Sequence, residues 1–147
     1  MRQIVIIGAG LIGTSIGLAA TKNGLTCTFV DSNPRHQALA TQLCGSGGSS
    51  FADEEVDLVV VATTVPELTN VVFEALNKYQ KAIVIDIGSV KTKSLLDISK
   101  STIPTRQFLA THPMAGREVG GAQSARGDLF QSRSWIYMPT DLEGTPV

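Results

Sequence analysis

Residues 4–13 read IVIIGAGLIG, an apolar and β-branched run that passes directly into three glycines. Such a run predicts a buried central strand, and the helical spacing of the apolar residues that follow predicts a helix from Leu11 to Asn23. Glycines in the pattern G-x-G-x-x-G between a strand and a helix favour a turn that holds the pyrophosphate of a dinucleotide. The backbone comes close to the ligand there, and the helix N-terminus offers N–H groups. A glycine turn without a ligand is the alternative. The residues predicted to bind the pyrophosphate are Gly8, Ala9, Gly10, Leu11, Ile12 and Gly13.

Asp31 ends the next apolar run, about 20 residues after the glycine loop, which is the spacing of the acid in dinucleotide-binding chains. A carboxylate at this point accepts hydrogen bonds from ribose hydroxyls and repels a 2′-phosphate. The sequence therefore predicts NAD and disfavours NADP, with Ser32 also among the cofactor-binding residues. Arg35 leaves an alternative open, because it either reaches toward a 2′-phosphate or is solvated in the first turn of the next helix. We predict no function for His36 in the same turn.

Strand and helix patterns alternate along the 147 residues. This alternation predicts an α/β fold of the Rossmann type, with a doubly wound and mostly parallel sheet in one domain, residues 1–147. No apolar run separates the glycine-rich segment 45–50 from Asp53, so a third strand there is expected to be short or degenerate. The predicted strands are 3–7, 26–31, 56–62, 82–87, 106–111 and 134–138, and the predicted helices are 11–23, 34–43, 63–78 and one from the 86–91 segment toward Lys100.

Ligands bind to such sheets outside the carboxyl ends of the strands. We therefore expect the loops after Ile7, Ala62, Ile87 and Thr111 to converge on one cleft. The cofactor-binding residues predicted from this convergence are Ala62, Thr63, Thr64, Gly88 and Ser89.

His112 begins the segment HPMAGRE at the end of a late strand, which places an imidazole near the nicotinamide end of this cleft. Histidine titrates near neutral pH and is suited to take the proton that an alcohol loses on oxidation. Pro113 restricts His112 to extended backbone. The alternative is a histidine that only stabilises the strand end. Ser89 is placed to reach His112, the substrate hydroxyl or the nicotinamide amide, and it is equally suited to cap a helix.

Three charged residues near these loops have less specific interpretations. Lys91 is interpreted as a solvated helix residue. Arg117 and Glu118 either contact an anionic substrate or organise their own loop, and both are candidate substrate residues.

The composition argues against several classes of partner and site. With 12 basic and 13 acidic residues the formal net charge is −1, so we expect a small-molecule substrate and neither nucleic acid nor a membrane as partner. Cys27 and Cys44 form no CxxC pattern and stand beside no histidine cluster, which predicts neither a metal site nor a disulfide. The first apolar stretch is too short for a signal peptide or a membrane span, so a cytoplasmic location is expected.

The chain resembles the prephenate and arogenate dehydrogenases of tyrosine biosynthesis over nearly its whole length. The resemblance rests on GAGLIG at 8–13, Asp31, DIGSVK at 86–91 and HPMAGRE at 112–118, and the last two motifs are the specific ones. It implies an oxidative decarboxylation in which NAD takes a hydride from the hydroxyl-bearing ring carbon of prephenate and carbon dioxide leaves, giving 4-hydroxyphenylpyruvate.

The same resemblance implies roles for individual residues. His112 corresponds to the catalytic histidine that contacts the ring hydroxyl of the substrate, and Ser89 corresponds to the residue that assists it beside the nicotinamide. Glu118 corresponds to a residue at the substrate entrance.

The chain departs from the family pattern at its end. Members of the family continue into a mainly helical domain that forms the dimer and supplies basic residues for the substrate carboxylates, and this chain ends at Val147, where that domain is expected to begin. A doubly charged acid needs cationic partners to be held for reaction. We therefore expect the chain to bind NAD but to turn over prephenate weakly or not at all, with a homodimer or a complementing helical domain as the candidate partner. Two alternatives stay open: another NAD-dependent hydroxy-acid dehydrogenase, and a non-catalytic NAD-binding module.

Overall fold

The computed structural model describes residues 3–46, 51–102 and 104–138. Each of its helices and strands overlaps the segment predicted for it. Residues 47–50 of the loop predicted at 45–50 and the chain end after 138 lie outside the described residues. In chain order the elements are β1 Gln3–Ile7, α1 Leu11–Lys22, β2 Thr26–Val30, α2 Pro34–Cys44, a 3-10 turn Asp53–Glu55, β3 Leu58–Val61, α3 Val65–Lys78, β4 Ile83–Asp86, α4 Thr92–Ser99, β5 Phe108–Pro113, a 3-10 turn Ala122–Ser124 and β6 Trp135–Met138.

The strands form one sheet in the order β2-β1-β3-β4-β5-β6, and all neighbouring pairs are parallel except β5 and β6. β1 is covered on both faces, because Ile4 and Ile6 belong to one apolar cluster and Val5 belongs to the other. Burial on both faces explains why the strand is apolar throughout instead of alternating. The predicted Rossmann-type, mostly parallel fold is confirmed.

The two apolar clusters hold helices on opposite faces of the sheet. On one face the ring of Phe29 packs with α1 and α2, and a Cβ on Gly17 would lie 2.4 Å from that ring, so α1 lies close against β2. On the other face Leu68 of α3 and Ile98 of α4 pack against β3 and β4. After β1 the chain continues through α1 to β2 on one side of the sheet. After β3 it continues through α3 to β4 on the other side. The crevice between the ends of β1 and β3 is thus the point at which sheets of this kind bind ligands.

Two boundaries bear on the site. Between α2 and β3 the described residues 51–57 contain the turn Asp53–Glu55 and no strand, in agreement with the expected weakness of a third strand. β5 continues two residues past its predicted end at Thr111, because it pairs with β6 through His112 opposite Ile136 and Pro113 opposite Trp135.

Candidate dinucleotide-binding site

The glycine loop lies against the end of β3 through contacts that a side chain would prevent. Gly8 has a φ of +107°, and a Cβ there would lie 2.4 Å from the carbonyl oxygen of Ala62. A Cβ on Gly13 would lie 2.0 Å from the carbonyl oxygen of Gly8. The turn is therefore tight, and Ala62 and Thr63 lie beside it.

Gly10 differs from these two glycines, since a Cβ built on it would meet nothing within 4 Å. It is the N-cap residue of α1 and has no side chain to occupy the first-turn amides of residues 11–13. Unoccupied amides and the partial positive charge of a helix N-terminus are what an anionic pyrophosphate requires. Gly10 thus keeps the approach to this helix end open.

Asp31 links the end of β2 to the glycine loop. Its Oδ2 accepts a 2.7 Å hydrogen bond from the Ala9 amide, and its Oδ1 accepts one of 2.8 Å from the Asn33 amide. The side chain is 13% exposed. A carboxylate has about four acceptor positions, so these two bonds leave capacity for the hydroxyls of a ribose.

A cavity of about 640 Å³ opens between the glycine loop, the end of β2 and α3. Its volume is in the usual range of small-molecule sites. The hydroxyl of Thr63 is buried and has no hydrogen-bond partner in the described residues, so a polar group of a ligand would satisfy it. The predicted residues that line the cavity are Gly8, Gly10, Asp31, Ser32, Ala62, Thr63 and Thr64. Ala9 of the glycine loop and Leu11, Ile12 and Gly13 of the first turn of α1 are not among the lining residues.

The first turn of α2 contributes a residue to the cavity that was not predicted. His36 lines it, with Nδ1 3.8 Å from Oδ1 of Asp31. Arg35 is exposed and is not among the lining residues, which favours its interpretation as a solvated residue. The start of α2 directly after β2 was the available signal, because such a helix begins at the carboxyl edge of the sheet.

One face of α3 forms the opposite wall of the cavity and was also not predicted. Glu67, Glu74 and Lys78 line it. Their intervals of seven and four residues place them on one side of a helix, so this wall could have been found from the sequence. The wall carries more negative than positive charge.

His112 and Ser89 are not among the residues that line this cavity. His112 is the next-to-last residue of β5, and Ser89 lies in the loop after the neighbouring strand β4. The His112 ring is half-buried, and its Nδ1 lies 3.3 Å from the carbonyl oxygen of Ile87. A carbonyl oxygen only accepts hydrogen bonds, so this contact places the ring proton on Nδ1 and leaves the lone pair on Nε2. His112 has the extended backbone that Pro113 predicted.

The interpretation of Lys91 as a solvated residue is wrong. Its side chain is 12% exposed and forms an ion pair with Asp86, which is 1% exposed. A buried carboxylate requires a counter-charge, because leaving it unpaired is costly. Burial lowers the pKa of Lys91, and the hydrogen bond and charge of Asp86 oppose that change.

The capping interpretation of Ser89 is also wrong. α4 begins at Thr92 with Lys91 in the N-cap position, and Ser89 is exposed in the loop before it. The Asp86–Lys91 ion pair joins the two ends of this loop. The hydroxyl of Ser89 is thus not committed to a helix cap.

Arg117 and Glu118 are both exposed in the long loop after β5, and neither lines the cavity. Arg117 donates a 2.7 Å hydrogen bond from Nη1 to the carbonyl oxygen of Ser124, which is a contact within the loop. The loop then returns to α1, where the Arg126 amide donates to Oγ of Ser15 at 3.0 Å. Arg117 therefore has the loop-organising contact that was one of its two interpretations.

Cys27 and Cys44 are buried free thiols. Burial raises the pKa of each to about 11, and the charge of Cys44 adds to the increase at Cys27. Across residues 3–46, 51–102 and 104–138, no cluster of three or more His, Cys, Asp or Glu side chains is arranged to hold a metal ion. The helices in these same ranges include none of the length and apolarity that a membrane crossing needs.

The sequence matches a known family and curated relatives. Residues 11–147 match the family described as prephenate dehydrogenase, nucleotide-binding domain. The chain is 34% identical over 139 residues to a probable prephenate dehydrogenase of Streptomyces niveus, an alignment that covers 95% of this chain and 38% of that protein. It is 34% identical over 146 residues to a prephenate dehydrogenase of Bacillus subtilis, with 92% and 39% covered. The chain thus spans about two fifths of the length of these relatives.

A solved structure shares the fold. Prephenate dehydrogenase from Aquifex aeolicus, in complex with hydroxyphenyl propionate and NAD+, aligns with a TM-score of 0.83 at 24% identity. The alignment covers 96% of this chain and 51% of that one.

Proposed function

This chain belongs to the family of prephenate dehydrogenase nucleotide-binding domains, and we propose that it binds NAD in the crevice at the glycine loop for the oxidation of a cyclohexadienyl acid. The proposed reaction is the oxidative decarboxylation of prephenate, or of the related arogenate, in tyrosine biosynthesis. The observation that carries the proposal is Asp31, held by the Ala9 amide of the glycine loop at the mouth of the 640 Å³ cavity. This geometry offers donors for a pyrophosphate and an acceptor for a ribose within one crevice.

The proposed cofactor pose follows from the contacts of the loop and the cavity. The pyrophosphate lies at the first-turn amides of α1, past the open side of Gly10, and the adenosine ribose lies on Asp31 with the adenine in the cavity. The Thr63 hydroxyl hydrogen-bonds the cofactor. Ser32 and Thr64 complete the contacts of the cavity rim.

The charge of the cavity supports NAD over NADP. Asp31, Glu67 and Glu74 line it together with one lysine, Lys78, and the imidazole ring of His36. Like charges a few ångströms apart repel by about 4 kcal/mol at an effective dielectric constant of about 20. A 2′-phosphate is therefore disfavoured in this pose.

The proposed chemistry uses the histidine and the serine at the neighbouring strand ends. Bound NAD supplies the hydride acceptor. Nε2 of His112, oriented by the Nδ1–H bond to Ile87, takes the proton of the substrate hydroxyl. Ser89 hydrogen-bonds that hydroxyl or the nicotinamide amide. Gly88 is a proposed cofactor contact in the same loop, and its lack of a side chain lets the loop pack against Leu68, since a Cβ there would lie 2.7 Å from that side chain. Arg117 and Glu118 are proposed contacts at the substrate entrance.

We propose that the part of the relatives that this chain does not cover completes the substrate site. Prephenate carries two carboxylates, and cationic side chains are needed to hold them. We propose that a helical domain supplies them, either in a homodimer or as a complementing unit, and that residues 1–147 form the dinucleotide-binding domain. The proposed location is the cytoplasm.

Two single variants, His112→Asn and His36→Asn, test the proposal. The His112→Asn chain is expected to bind NAD+ within about twofold of the parent and to lose roughly a hundredfold or more of prephenate-dependent NADH formation, because general-base catalysis is typically worth that factor. His36→Asn is the matched control, since it alters the cavity wall and leaves the proton acceptor in place. If the chain alone gives no turnover, the same variants are compared in a fusion to the remaining part of the Bacillus subtilis relative. A parent chain that binds no NAD+, or a His112→Asn fusion as active as its parent, would contradict the proposal.

A further inference from the structure

The segment DIGSVK at 86–91 has a charged residue at each end that the proposed function does not use. Asp86 ends β4, and Lys91 stands five residues later, directly before α4. Their buried ion pair ties together the two ends of the loop formed by residues 87–90. Ser89 lies exposed within that loop.

The carboxylate of Asp86 also accepts hydrogen bonds from the backbone amide directly before each residue of the proposed catalytic pair, Ser89 and His112. Its Oδ2 accepts a 3.0 Å hydrogen bond from the Gly88 amide, and its Oδ1 accepts one of 3.3 Å from the Thr111 amide. The hydroxyl of Thr111 donates to the carbonyl oxygen of Asp86 at 2.7 Å. Gly88 directly precedes Ser89, and Thr111 directly precedes His112. One buried residue thus holds the loop of the serine and the strand of the histidine.

The next residue continues the same connection, because the carbonyl oxygen of Ile87 accepts the Nδ1–H of His112. The residues 86, 87 and 88 therefore fix, in succession, the strand residue before His112, the ring of His112, and the start of the Ser89 loop. A displacement of Asp86 would move all three contacts together.

We propose that Asp86 is a positioning residue that sets the Ser89 loop relative to the His112 ring, with Lys91 as its buried counter-charge. The inference rests on the proposed function, which gives Ser89 and His112 their roles. A buried ion pair is weak as a source of stability, since an apolar pair of similar volume is often as stable. An apolar pair, however, has no acceptor for the amides of Gly88 and Thr111, and an ionised carboxylate accepts from both while it binds Lys91. Directional hydrogen bonding is the property that this pair supplies.

The ring tautomer of His112 in the folded chain tests the proposal without any need for turnover. The chain has two histidines, so long-range ¹H–¹⁵N spectra of the labelled protein at a pH where the rings are neutral report each tautomer separately. The parent chain is expected to show His112 with its proton on Nδ1. In Lys91→Met and in the charge-neutral double variant Asp86→Asn/Lys91→Met, His112 is expected to lose that preference. Lys91→Arg, which keeps the charge, is expected to retain it.

Two controls separate positioning from general damage to the fold. Lys100→Met removes a lysine that is exposed at the end of α4, and it is expected to leave the His112 signals as in the parent. His36, on the other side of the sheet's switch point, is an internal reference whose signals are expected to stay unchanged in all these variants. Cooperative unfolding in denaturant identifies which variants are folded.

A folded double variant with the parental His112 tautomer would overturn the proposal. If the variants at Asp86 and Lys91 do not fold, the tautomer of His112 is measured in Thr111→Val. This variant removes only the hydroxyl bond to the Asp86 carbonyl and leaves both charges in place. The proposal predicts loss of the Nδ1–H preference in that variant, and an unchanged tautomer there overturns it. Failure of the parent chain to bind NAD+ would instead contradict the proposed function, so the two outcomes are distinct.

Discussion

The replacement of Gly10 by alanine separates ligand binding from folding. Gly10 has φ −80° and ψ −164°, which any residue adopts, and a Cβ there meets nothing within 4 Å. The substitution therefore adds no clash, and the gain of about 0.4–1 kcal/mol from the reduced freedom of the unfolded chain offsets the lower preference for alanine at the N-cap position. The fold is expected to be unchanged.

The same methyl group is expected to weaken NAD binding. In the proposed pose it occupies the open side of the loop through which the pyrophosphate approaches the first-turn amides of α1. A hydrogen bond to a charged group contributes about 1.5–3 kcal/mol, so the loss of one such bond corresponds to a roughly tenfold to hundredfold weaker affinity. The loss of two would exceed that range.

The assay measures the dissociation constant for NAD+ by calorimetry and the unfolding free energy by denaturant titration, both for Gly10→Ala and for Gly13→Ala. The second variant is the contrast, because its Cβ would lie 2.0 Å from the backbone oxygen of Gly8, and relief of that overlap costs roughly 3 kcal/mol or more of stability. Gly10→Ala is expected to change affinity alone, and Gly13→Ala is expected to change stability. A Gly10→Ala chain that binds NAD+ as the parent does would refute the pyrophosphate position.

Three further predictions concern selectivity, packing and pH. Asp31→Ser removes the carboxylate that repels a 2′-phosphate, so the ratio of NAD+ to NADP+ affinity is expected to fall by about tenfold or more, and an unchanged ratio would show that Asp31 does not face the ribose. Gly17→Ala places a Cβ 2.4 Å from the Phe29 ring, so the unfolding free energy is expected to drop by about 1–3 kcal/mol, with NAD+ affinity retained at temperatures where the variant is folded. Burial raises the pKa of Cys27 and Cys44 in the folded state from 9.0 to about 11, so the unfolded state binds fewer protons between these values. The unfolding free energy is therefore expected to decrease as pH rises from about 9 to 11, and less so in a chain with both cysteines replaced by alanine.

Local sequence patterns predicted the strands of the sheet, the glycine loop and the position of Asp31 at the end of the second strand. These features depend on residues that are adjacent in sequence or at a fixed spacing. An apolar run followed by G-x-G-x-x-G specifies a buried strand, a tight turn and a helix in one segment. The contact of Gly8 with Ala62 then follows from the pairing of two parallel strands, and this contact brings the second loop to the site as predicted.

Lys91 shows where local patterns fail. A lysine at the start of a helical segment is solvated in most proteins, and its true environment depends on a carboxylate five residues earlier that the sheet buries. The buried ion pair of Asp86 with Lys91, the bonds of Asp86 to Thr111 on the next strand and the late start of α4 are consequences of tertiary packing. The capping interpretation of Ser89 fails for the same reason.

The cavity wall is an intermediate case. The sequence was sufficient to place Glu67, Glu74 and Lys78 on one helix face, but their direction toward the cavity depends on which side of the sheet α3 packs. The place of His36 in the cavity wall could be predicted only once the carboxyl end of β2 and the start of α2 were placed at the same edge of the sheet.

A crystal structure of the chain with NAD+ tests the proposed position of the cofactor. We expect pyrophosphate oxygens about 3 Å from the first-turn amides of α1, the adenosine ribose on the carboxylate of Asp31, and the nicotinamide ring beside Ser89 and His112. A cofactor bound with its pyrophosphate away from residues 11–13, or with its nicotinamide turned away from His112, would contradict it.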